Sequence, residues 1–255
     1  MTHRADASTF LDNRGYTGPL IRGVNPATLF EKAVRDRITD SYYWKEQCFG
    51  LNAATLCDRA VELTCIGGVY GVAEKPTPFL CLAFKLLQLN PDREIILEYL
   101  NFSDTNQDND TRREPRHEDD DSSGNNSNEN HDVDPEAAIL QTRGDFKYLR
   151  ALAAFYVRLT FPAADVYKTL EPLLLDYRKL KRRVRDSFVL TYMDQFVDEL
   201  LTKDRVCGTS LWKLPARQQL EDLELLEERV SPLQAELDEM ERSDDDKEEG
   251  EEEED

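Results

Sequence analysis

Residues 77–91 read TPFLCLAFKLLQLNP, and this stretch decides the fold class that the sequence predicts. Thr77 and Pro78 are typical of a helix start, because the threonine oxygen accepts a hydrogen bond from a first-turn amide and proline has no N–H to leave unpaired. From Pro78 to about Leu89 the side chains are apolar almost all round, which indicates a helix buried at the centre of the protein. Asn90-Pro91 then repeats the start signal, so another helix follows at once.

The sequence on both sides of this stretch continues the helical pattern. Upstream, Asn25-Pro26 is a third cap-and-proline start, and it opens a helix with an apolar face at helical spacing, formed by Leu29, Phe30, Ala33, Val34 and Ile38. Further helices are predicted at 41–49, from Asn52, over 91–101, over 145–160 and from Asp194. The sequence therefore predicts an all-α fold, a compact multi-helix bundle with one short extended segment near 188–193.

Charge and composition divide the chain into five regions. Residues 104–136 have a net charge of −9 and residues 218–255 a net charge of −16, so the rest of the −20 chain is mildly basic, at +5. A segment with so few large apolar residues cannot bury enough surface to offset its chain entropy, so 103–143 is predicted to be a disordered insertion. The other predicted regions are a flexible arm at 1–24, a helical body at 25–215 that contains the insertion, amphipathic C-terminal helices at 216–242 and an acidic tail at 243–255.

Histidine, the side chain most often used for proton transfer near neutral pH, is missing from the predicted body. All three histidines, His3, His117 and His131, lie in segments predicted to be disordered, so the body lacks the usual proton-transfer group near neutral pH. The five cysteines are an odd number without a C-x-x-C pair, which argues against a disulfide framework or zinc site and for a reducing compartment. We therefore expect no enzymatic activity, no cofactor and no metal. We also expect neither a signal peptide nor a membrane span, because no apolar run is long enough.

Three features are candidates for binding, and each allows two interpretations. The glycine-rich segment 67–71 (GGVYG) is either a turn or a docking surface around Tyr70; it is no P-loop, because Lys75 is not followed by Ser or Thr. The aromatic group Tyr42, Tyr43, Trp44 and Phe49 packs in the core or lies at an interface. A heptad seam, which folds back on the body or binds a partner helix, is formed by Leu223, Leu226, Val230, Leu233, Leu237 and Met240.

A basic stretch lies at the predicted end of a helix spanning 167–185. Its cations are Arg178, Lys179, Lys181, Arg182, Arg183 and Arg185. They are a solvated helix end that complements the helix dipole, a nuclear import signal, or a patch that contacts phosphates. The tyrosines of the same region either pack or stack on bases; they are Tyr148, Tyr156, Tyr167 and Tyr177.

Several short strings, taken together, carry a resemblance. They are YWKEQCFGL (43–51), GGVYG (67–71), KPTPFLCL (75–82), DFKYLR (145–150), YVRLT (156–160), YK (167–168), LEPL (170–173), DYRK (176–179), DQFVDELL (194–201) and RVC (205–207). In this order they resemble the pre-mRNA-splicing factor 38 family over about residues 25–240, the insertion excluded. The chain departs from the family in its longer 103–143 segment and in an acidic end that replaces the Arg-Ser-rich tail of some relatives.

The resemblance implies a non-enzymatic helical scaffold of the spliceosome. Such a protein joins the spliceosome together with the tri-snRNP and is needed for pre-mRNA splicing and spliceosome activation. It implies a nuclear protein, monomeric alone, whose B-complex partners resemble a zinc-finger splicing protein and a largely disordered, helix-forming protein. Partners would bind in surface grooves, and the residues expected to contact them are Tyr70, Tyr167, Tyr177, Arg178 and Lys181. The alternative function is direct RNA binding through the basic 178–185 stretch, with Arg182, Arg183 and Arg185 as the RNA or import patch.

Overall fold

The computed structural model describes residues 16–102 and 146–229. Residues 1–15 of the predicted arm, the predicted insertion and the predicted acidic tail lie outside these ranges, so those interpretations stay predictions. The chain forms two units, Met1–Leu214 and Pro215–Asp255. Among the described residues, no helix combines the length and apolar character needed to cross a membrane.

The first described range is mostly helical. Its elements are a 3-10 helix (Pro26–Leu29), α1 (Lys32–Asp40), a π-helical turn (Trp44–Cys48), α2 (Ala53–Val61), strands β1 (Ile66–Gly67), β2 (Val69–Tyr70) and β3 (Lys75–Pro76), and helices α3 (Pro78–Leu89) and α4 (Arg93–Asn101). The predicted starts at Asn25, Asn52 and Thr77 are confirmed, because each of these side chains accepts a hydrogen bond from a first-turn amide. The start predicted at Asn90-Pro91 is wrong, because Asn90 ends α3 in a left-handed conformation and Asp92 precedes α4. The first predicted helix is divided, since Phe30 is extended between the 3-10 helix and α1.

The second described range mixes helices with strands. Its elements in the first unit are α5 (Lys147–Thr160), α6 (Ala163–Leu170), a 3-10 helix (Glu171–Leu175), β4 (Lys179–Arg183), β5 (Phe188–Tyr192), α7 (Met193–Thr202), β6 (Arg205–Val206) and β7 (Thr209–Ser210). The first unit also includes residues 16–24 of the predicted arm. Arg22 anchors this segment, because its guanidinium donates to the Leu159 carbonyl and lies 4.4 Å from the centre of the Trp212 ring.

The core of the first unit is built around α3 and α5. Every side chain from Phe79 to Leu87 is buried, as is every side chain from Leu149 to Leu159. Aromatic rings join these helices to their neighbours: Phe79 lies 5.9 Å from Phe155, centre to centre, and 6.2 Å from Phe196 on α7. The central position predicted for α3 is therefore correct, and burial of these two helices supplies a large part of the apolar contact that stabilises the fold.

The all-α prediction is wrong, because the described residues contain three small β-sheets. The largest has the strand order β1-β4-β5, in which β1 runs parallel to β4 and β4 runs antiparallel to β5. Two further pairs join β2 to β3 and β6 to β7. The fold is mixed α/β, and the segment expected to be extended near 188–193 is strand β5 of a sheet.

The prediction of a helix over 167–185 is also wrong. Helix α6 ends at Leu170, and the basic stretch that follows is strand β4. Burial alternates along this strand with the period of two that a strand requires: Leu180 is fully buried, whereas Lys179 and Lys181 are exposed. A short charged strand of this kind carries too few apolar residues for its period to be read from the sequence.

The described part of the second unit, up to residue 229, contains helix α8 (Arg217–Asp222). Arg217 and Glu221 form an ion pair one turn apart along it. Leu223 ends this helix, and Glu224 adopts a positive φ of 56°. The first two positions of the predicted heptad seam, Leu223 and Leu226, therefore follow the helix, and the positions from Val230 onward lie outside the described residues.

Candidate partner-binding surface

Strands β4 and β5 form a surface on which cations and apolar side chains alternate. Residues directly opposite each other in an antiparallel pair share one face of the sheet. The pairing places the following six side chains on the face away from the core, here called the outer face: Lys179 opposite Tyr192, Lys181 opposite Leu190, and Arg183 opposite Phe188. On the inner face, Leu180 and its partner Thr191 are buried. The outer face therefore has a basic strand beside an apolar one.

Cation–π contacts organise the outer face. The Lys181 ammonium lies 4.0 Å from the centre of the Phe188 ring, and the Arg183 guanidinium lies 4.4 Å from the same ring. Arg183 also lies 4.8 Å from the ring of Tyr70 on β2. Each such contact at an exposed site stabilises by about 0.5–1 kcal/mol. The glycine-rich segment and the basic stretch, which the sequence treats as separate features, thus meet at Tyr70.

Strand β5 exposes three apolar residues in succession. Phe188, Val189 and Leu190 are 47%, 49% and 58% exposed. Single exposed apolar side chains are common on protein surfaces, but Phe188 and Leu190 lie together on the outer face beside organised cations, which is typical of a binding site. Val189, which pairs with Arg182, lies on the opposite face of the strand. We therefore regard β5 as the centre of the candidate surface.

Two predicted cations are engaged in ion pairs and do not belong to the outer face. Arg182 makes two hydrogen bonds to the Glu199 carboxylate on α7, at 3.0 and 2.6 Å. Arg178 donates to Asp176, with its Nε 2.8 Å from Oδ1. Both cations therefore hold the strand to the body, whereas Lys181, Arg183 and exposed Arg185 face the surface.

Asp176 is the buried acid that joins the sheet to the helical core. It is 4% exposed and also accepts a hydrogen bond of 3.0 Å from Arg150 on α5. Burial alone raises the pKa of Asp176, but the hydrogen bond and charge of Arg178, together with the charge of Arg150, lower it further than burial raises it. The net pKa lies below the ordinary value of 3.8, so the carboxylate is ionised at neutral pH.

The predicted contact tyrosines occupy different environments. Tyr167 is only 8% exposed and so is part of the packing of α6, whereas Tyr177 is 63% exposed just before β4. Tyr70 is half-buried between Arg183 and a neighbouring groove. The structure brings Tyr70, Lys181 and Arg183 together, and Tyr167 lies apart from them in the packed interior.

A groove lined by tyrosines lies on the other side of Tyr70. It has a volume of about 610 Å³ and is lined by Tyr42, Tyr43 and Tyr70, with an ion pair between Arg37 and Glu74 among its other lining residues. The aromatic group predicted at 42–49 is split between core and surface. Trp44 is buried, whereas Tyr42 and Phe49 are 77% and 62% exposed. Sequence reasoning missed Arg37, whose partner Glu74 is distant in the chain.

The described residues show no candidate metal site and no activated thiol. They contain no cluster of three or more His, Cys, Asp or Glu side chains that could hold a metal ion. All five cysteines are free, and burial raises the pKa of each thiol. The thiols are therefore protonated at neutral pH and are poor nucleophiles.

Known proteins with similar sequences span most of the chain. A family model described as the PRP38 family matches residues 20–224. Pre-mRNA-splicing factor 38A of Danio rerio is 43% identical over 224 residues, which are 88% of this chain and 58% of the relative. Pre-mRNA-splicing factor 38 of Schizosaccharomyces pombe is 47% identical over 202 residues, 79% of this chain and 76% of the relative. This chain therefore spans little more than half the length of the Danio rerio relative.

A solved structure extends the similarity to the fold. A chain in the crystal structure of the Snu23-Prp38-MFAP1(217-258) complex of Chaetomium thermophilum is 50% identical in sequence, with a TM-score of 0.66. The match covers 89% of this chain and 99% of that chain. The range matched by the family model includes the helical core, the tyrosine groove and the outer face, and on this basis the chain belongs to the PRP38 family.

Proposed function

We propose that this protein is a non-enzymatic scaffold of the spliceosome, which acts in the nucleus in pre-mRNA splicing and spliceosome activation. The observation that carries the proposal is the 50% identity to a chain crystallised in a complex named for three splicing proteins. The names of the relatives support the same process. The described body fits this role, because it presents exposed apolar and basic surface on a rigid core.

The partners we propose are counterparts of Snu23 and MFAP1, the other proteins named in the crystallised complex. The zinc-finger protein and the helix-forming disordered protein expected from the sequence would be these two partners. Disordered segments that fold on a preformed surface cover a large area at modest affinity, because ordering the segment costs entropy. Such affinity suits a particle that must admit this factor and later release it. Contact with the snRNP particle is part of the same proposal.

The groove and the outer face are the surfaces we propose for these contacts. Tyr42 and Tyr70 line the groove, and Arg183 connects it to the apolar strand through its contact with the Tyr70 ring. Both surfaces are carried by elements packed on α1, α3 and α7, so they are preformed and lose little entropy on binding. Exposed aromatic residues near organised cations are the composition expected of an interface centre.

Direct RNA binding by the basic stretch remains the second candidate. Lys181, Arg183 and Arg185 support it, since they are cations on one stretch that no carboxylate contact neutralises among the described residues. The engagement of Arg178 and Arg182 in ion pairs weakens it, because these two charges are already balanced. The scaffold is therefore the function that the geometry favours.

Co-purification of the full chain with its partners tests the scaffold proposal. We expect the Snu23 and MFAP1 counterparts from the same organism to elute with the full chain in size-exclusion chromatography after nuclease treatment. Removal of RNA should leave the complex intact, because the proposed contacts are between proteins. Failure of both partners to bind the full chain, with or without RNA, would overturn the proposal.

The RNA candidate is tested in parallel with the double variant Lys181→Glu/Arg183→Glu. If RNA binds here, the unmodified chain should bind a labelled single-stranded RNA at low salt, and the variant should lose affinity and part of the salt dependence. The matched control is Lys168→Glu, which changes a cation on α6, away from the strand. No measurable RNA affinity of the unmodified chain at low salt removes this candidate.

A further inference from the structure

Strand β5 has one edge without a partner strand in the described part of the chain. It is the last strand in the order β1-β4-β5, so its only ladder is the one with β4. In such a ladder, alternate residues direct their N–H and C=O groups to the partner strand and the residues between them direct these groups away. The direction of each backbone group on β5 can therefore be assigned.

Hydrogen bonds at both ends of the ladder make this assignment. The Val184 N–H donates to the Ser187 carbonyl at 3.0 Å, and the Met193 N–H donates to the Arg178 carbonyl at 2.9 Å. These two pairs have the same parity as the pairs of Val189 and Thr191, whose backbone groups thus face β4. Phe188 and Leu190 consequently direct their N–H and C=O groups to the free edge.

Within the described ranges, nothing gives the free edge the usual protection of a natural edge strand. Edge strands are ordinarily protected by a proline, an inward-pointing charge, a bulge or a covering element. Here the side chains at the edge are the exposed run Phe188, Val189 and Leu190, and no described residue pairs with the outward backbone groups of Phe188 and Leu190. An exposed apolar edge with unpaired amides is a template for another strand.

Charge on the outer face indicates the chemistry of that strand. The Lys181 and Arg183 head groups lie over the Phe188 ring, which means that both cations lean from β4 over β5. A strand added at this edge would place every second side chain beside Phe188 and Leu190, within reach of these cations. Acidic side chains on that face and apolar side chains on the other would complement this surface. Base stacking fits less well, since the Phe188 ring already has two cations against it.

We propose that the free edge of β5 binds an extended segment of a partner protein as an additional β-strand, and that this segment alternates acidic and apolar side chains. The inference rests on the proposed scaffold function and deepens it, because it names a docking surface and a mode of binding. Backbone hydrogen bonds supply affinity at Phe188 and Leu190, and the cations select the acidic face.

Hydrogen exchange of the full chain gives a direct test. The probe is a short fluorescein-labelled peptide in which Glu and Val alternate, added in excess. We expect the Phe188 and Leu190 amides to slow by at least about tenfold, because both would enter new hydrogen bonds. The Val189 and Thr191 amides, already bonded to β4, should change little. Equal slowing of all four amides, or no slowing, would overturn the proposal.

Two variants at one position separate backbone from side-chain contributions. Leu190→Pro removes the outward N–H, which an edge strand tolerates on its solvent side, and Leu190→Thr removes the same apolar side chain but keeps the N–H. Peptide affinity, measured by fluorescence anisotropy, should fall at least about tenfold further in the proline variant than in the threonine variant. Similar affinities in the two variants, each with an unchanged circular dichroism spectrum, would contradict strand addition.

The remaining experiments identify what binds at the β5 edge and separate this inference from the scaffold proposal. The variant Lys181→Glu/Arg183→Glu should weaken binding of the acidic peptide and reverse the preference toward a Lys-Val peptide of equal length. Binding of single-stranded RNA but of neither peptide would overturn the inference in favour of RNA. If neither peptide nor RNA binds while the Snu23 and MFAP1 counterparts still co-purify, the strand inference fails and the scaffold proposal stands.

Discussion

The helical core and the β4–β5 sheet differ in how many of their side chains they bury. Helices α3 and α5 bury almost every side chain, and their stability comes from packing of aromatic and aliphatic groups. The sheet buries Leu180 and Thr191 on one face and leaves cations and Phe188 exposed on the other. The comparison teaches that the apolar burial that stabilises the fold and the surface proposed for binding lie in different regions, so a change on the outer face should leave the packing of α3 and α5 intact.

Arg150 and Asp176 join the two regions. Arg150 projects from α5 and also donates to the Leu100 carbonyl at the end of α4, at 2.6 Å. Asp176 lies just before β4, and its backbone carbonyl accepts from the Asp194 amide at the start of α7. A buried pair of this kind costs desolvation energy when it forms, but removal of one partner leaves the other charge uncompensated.

The largest effect is expected from Phe155→Ala in the core. The Phe155 ring is fully buried and lies 5.9 Å from Phe79 and 6.3 Å from Phe30, so truncation leaves a cavity. We expect the free energy of unfolding to fall by about 3–5 kcal/mol. Urea denaturation of the full chain measures it. The control Phe188→Ala on the sheet should lose less than about 1.5 kcal/mol, and equal losses would contradict the separation of the two regions.

A loss of about 3 kcal/mol at neutral pH is expected from Asp176→Asn, because the amide replaces the buried carboxylate that Arg150 and Arg178 both contact. The folded-state pKa of Asp176 lies below the ordinary value of 3.8, so its stabilisation is fully present above pH 3.8 and is lost as the pH falls through the folded pKa. Denaturation curves at several pH values should show that the difference in unfolding free energy between variant and wild type shrinks below pH 3.8.

Asp198, an exposed acid on α7, supplies the control for the Asp176→Asn experiment. Asp198→Asn changes the same charge on α7 outside the buried junction, so we expect little loss of stability at any pH. If the stability difference between Asp176→Asn and the wild type stays constant with pH, the role assigned to the ionised Asp176 carboxylate is contradicted.

The smallest of the three effects is expected from Gly68→Ala, which tests a close contact between loops near the sheet. A Cβ at Gly68 would lie 2.3 Å from the Cys207 carbonyl oxygen, so the backbone of one segment must move. We expect a loss of about 1–3 kcal/mol, read as a lower midpoint of thermal unfolding. Gly50→Ala is the matched control, since no atom lies within 4 Å of its Cβ. A neutral Gly68→Ala would mean that this contact is loose.

Sequence reasoning succeeded for most of the helices and for the extended segment at β5, but it read β4 as a helix and did not predict the sheet. Thr77 accepts a hydrogen bond from the Leu80 amide at 3.2 Å, which its position before Pro78 predicts. The basic stretch was read as a helix end, because cations favour that position and only Leu180 marks the inner face of β4. Of the candidate contacts, Tyr70 lines a groove and stays a predicted partner contact, whereas the burial of Tyr167 depends on what packs against α6.

The sequence by itself determined the helix starts at Asn25, Asn52 and Thr77, the buried centre at α3 and the membership of the PRP38 family, because each of these depends on local spacing or on residue identity. Tertiary structure alone decided that Ile66 pairs with Arg182, that Arg183 meets Tyr70, and that β5 is left as an edge. The physical reason is that strand pairing is non-local: a strand is stabilised by neighbours distant in the chain, and its own residues do not specify them.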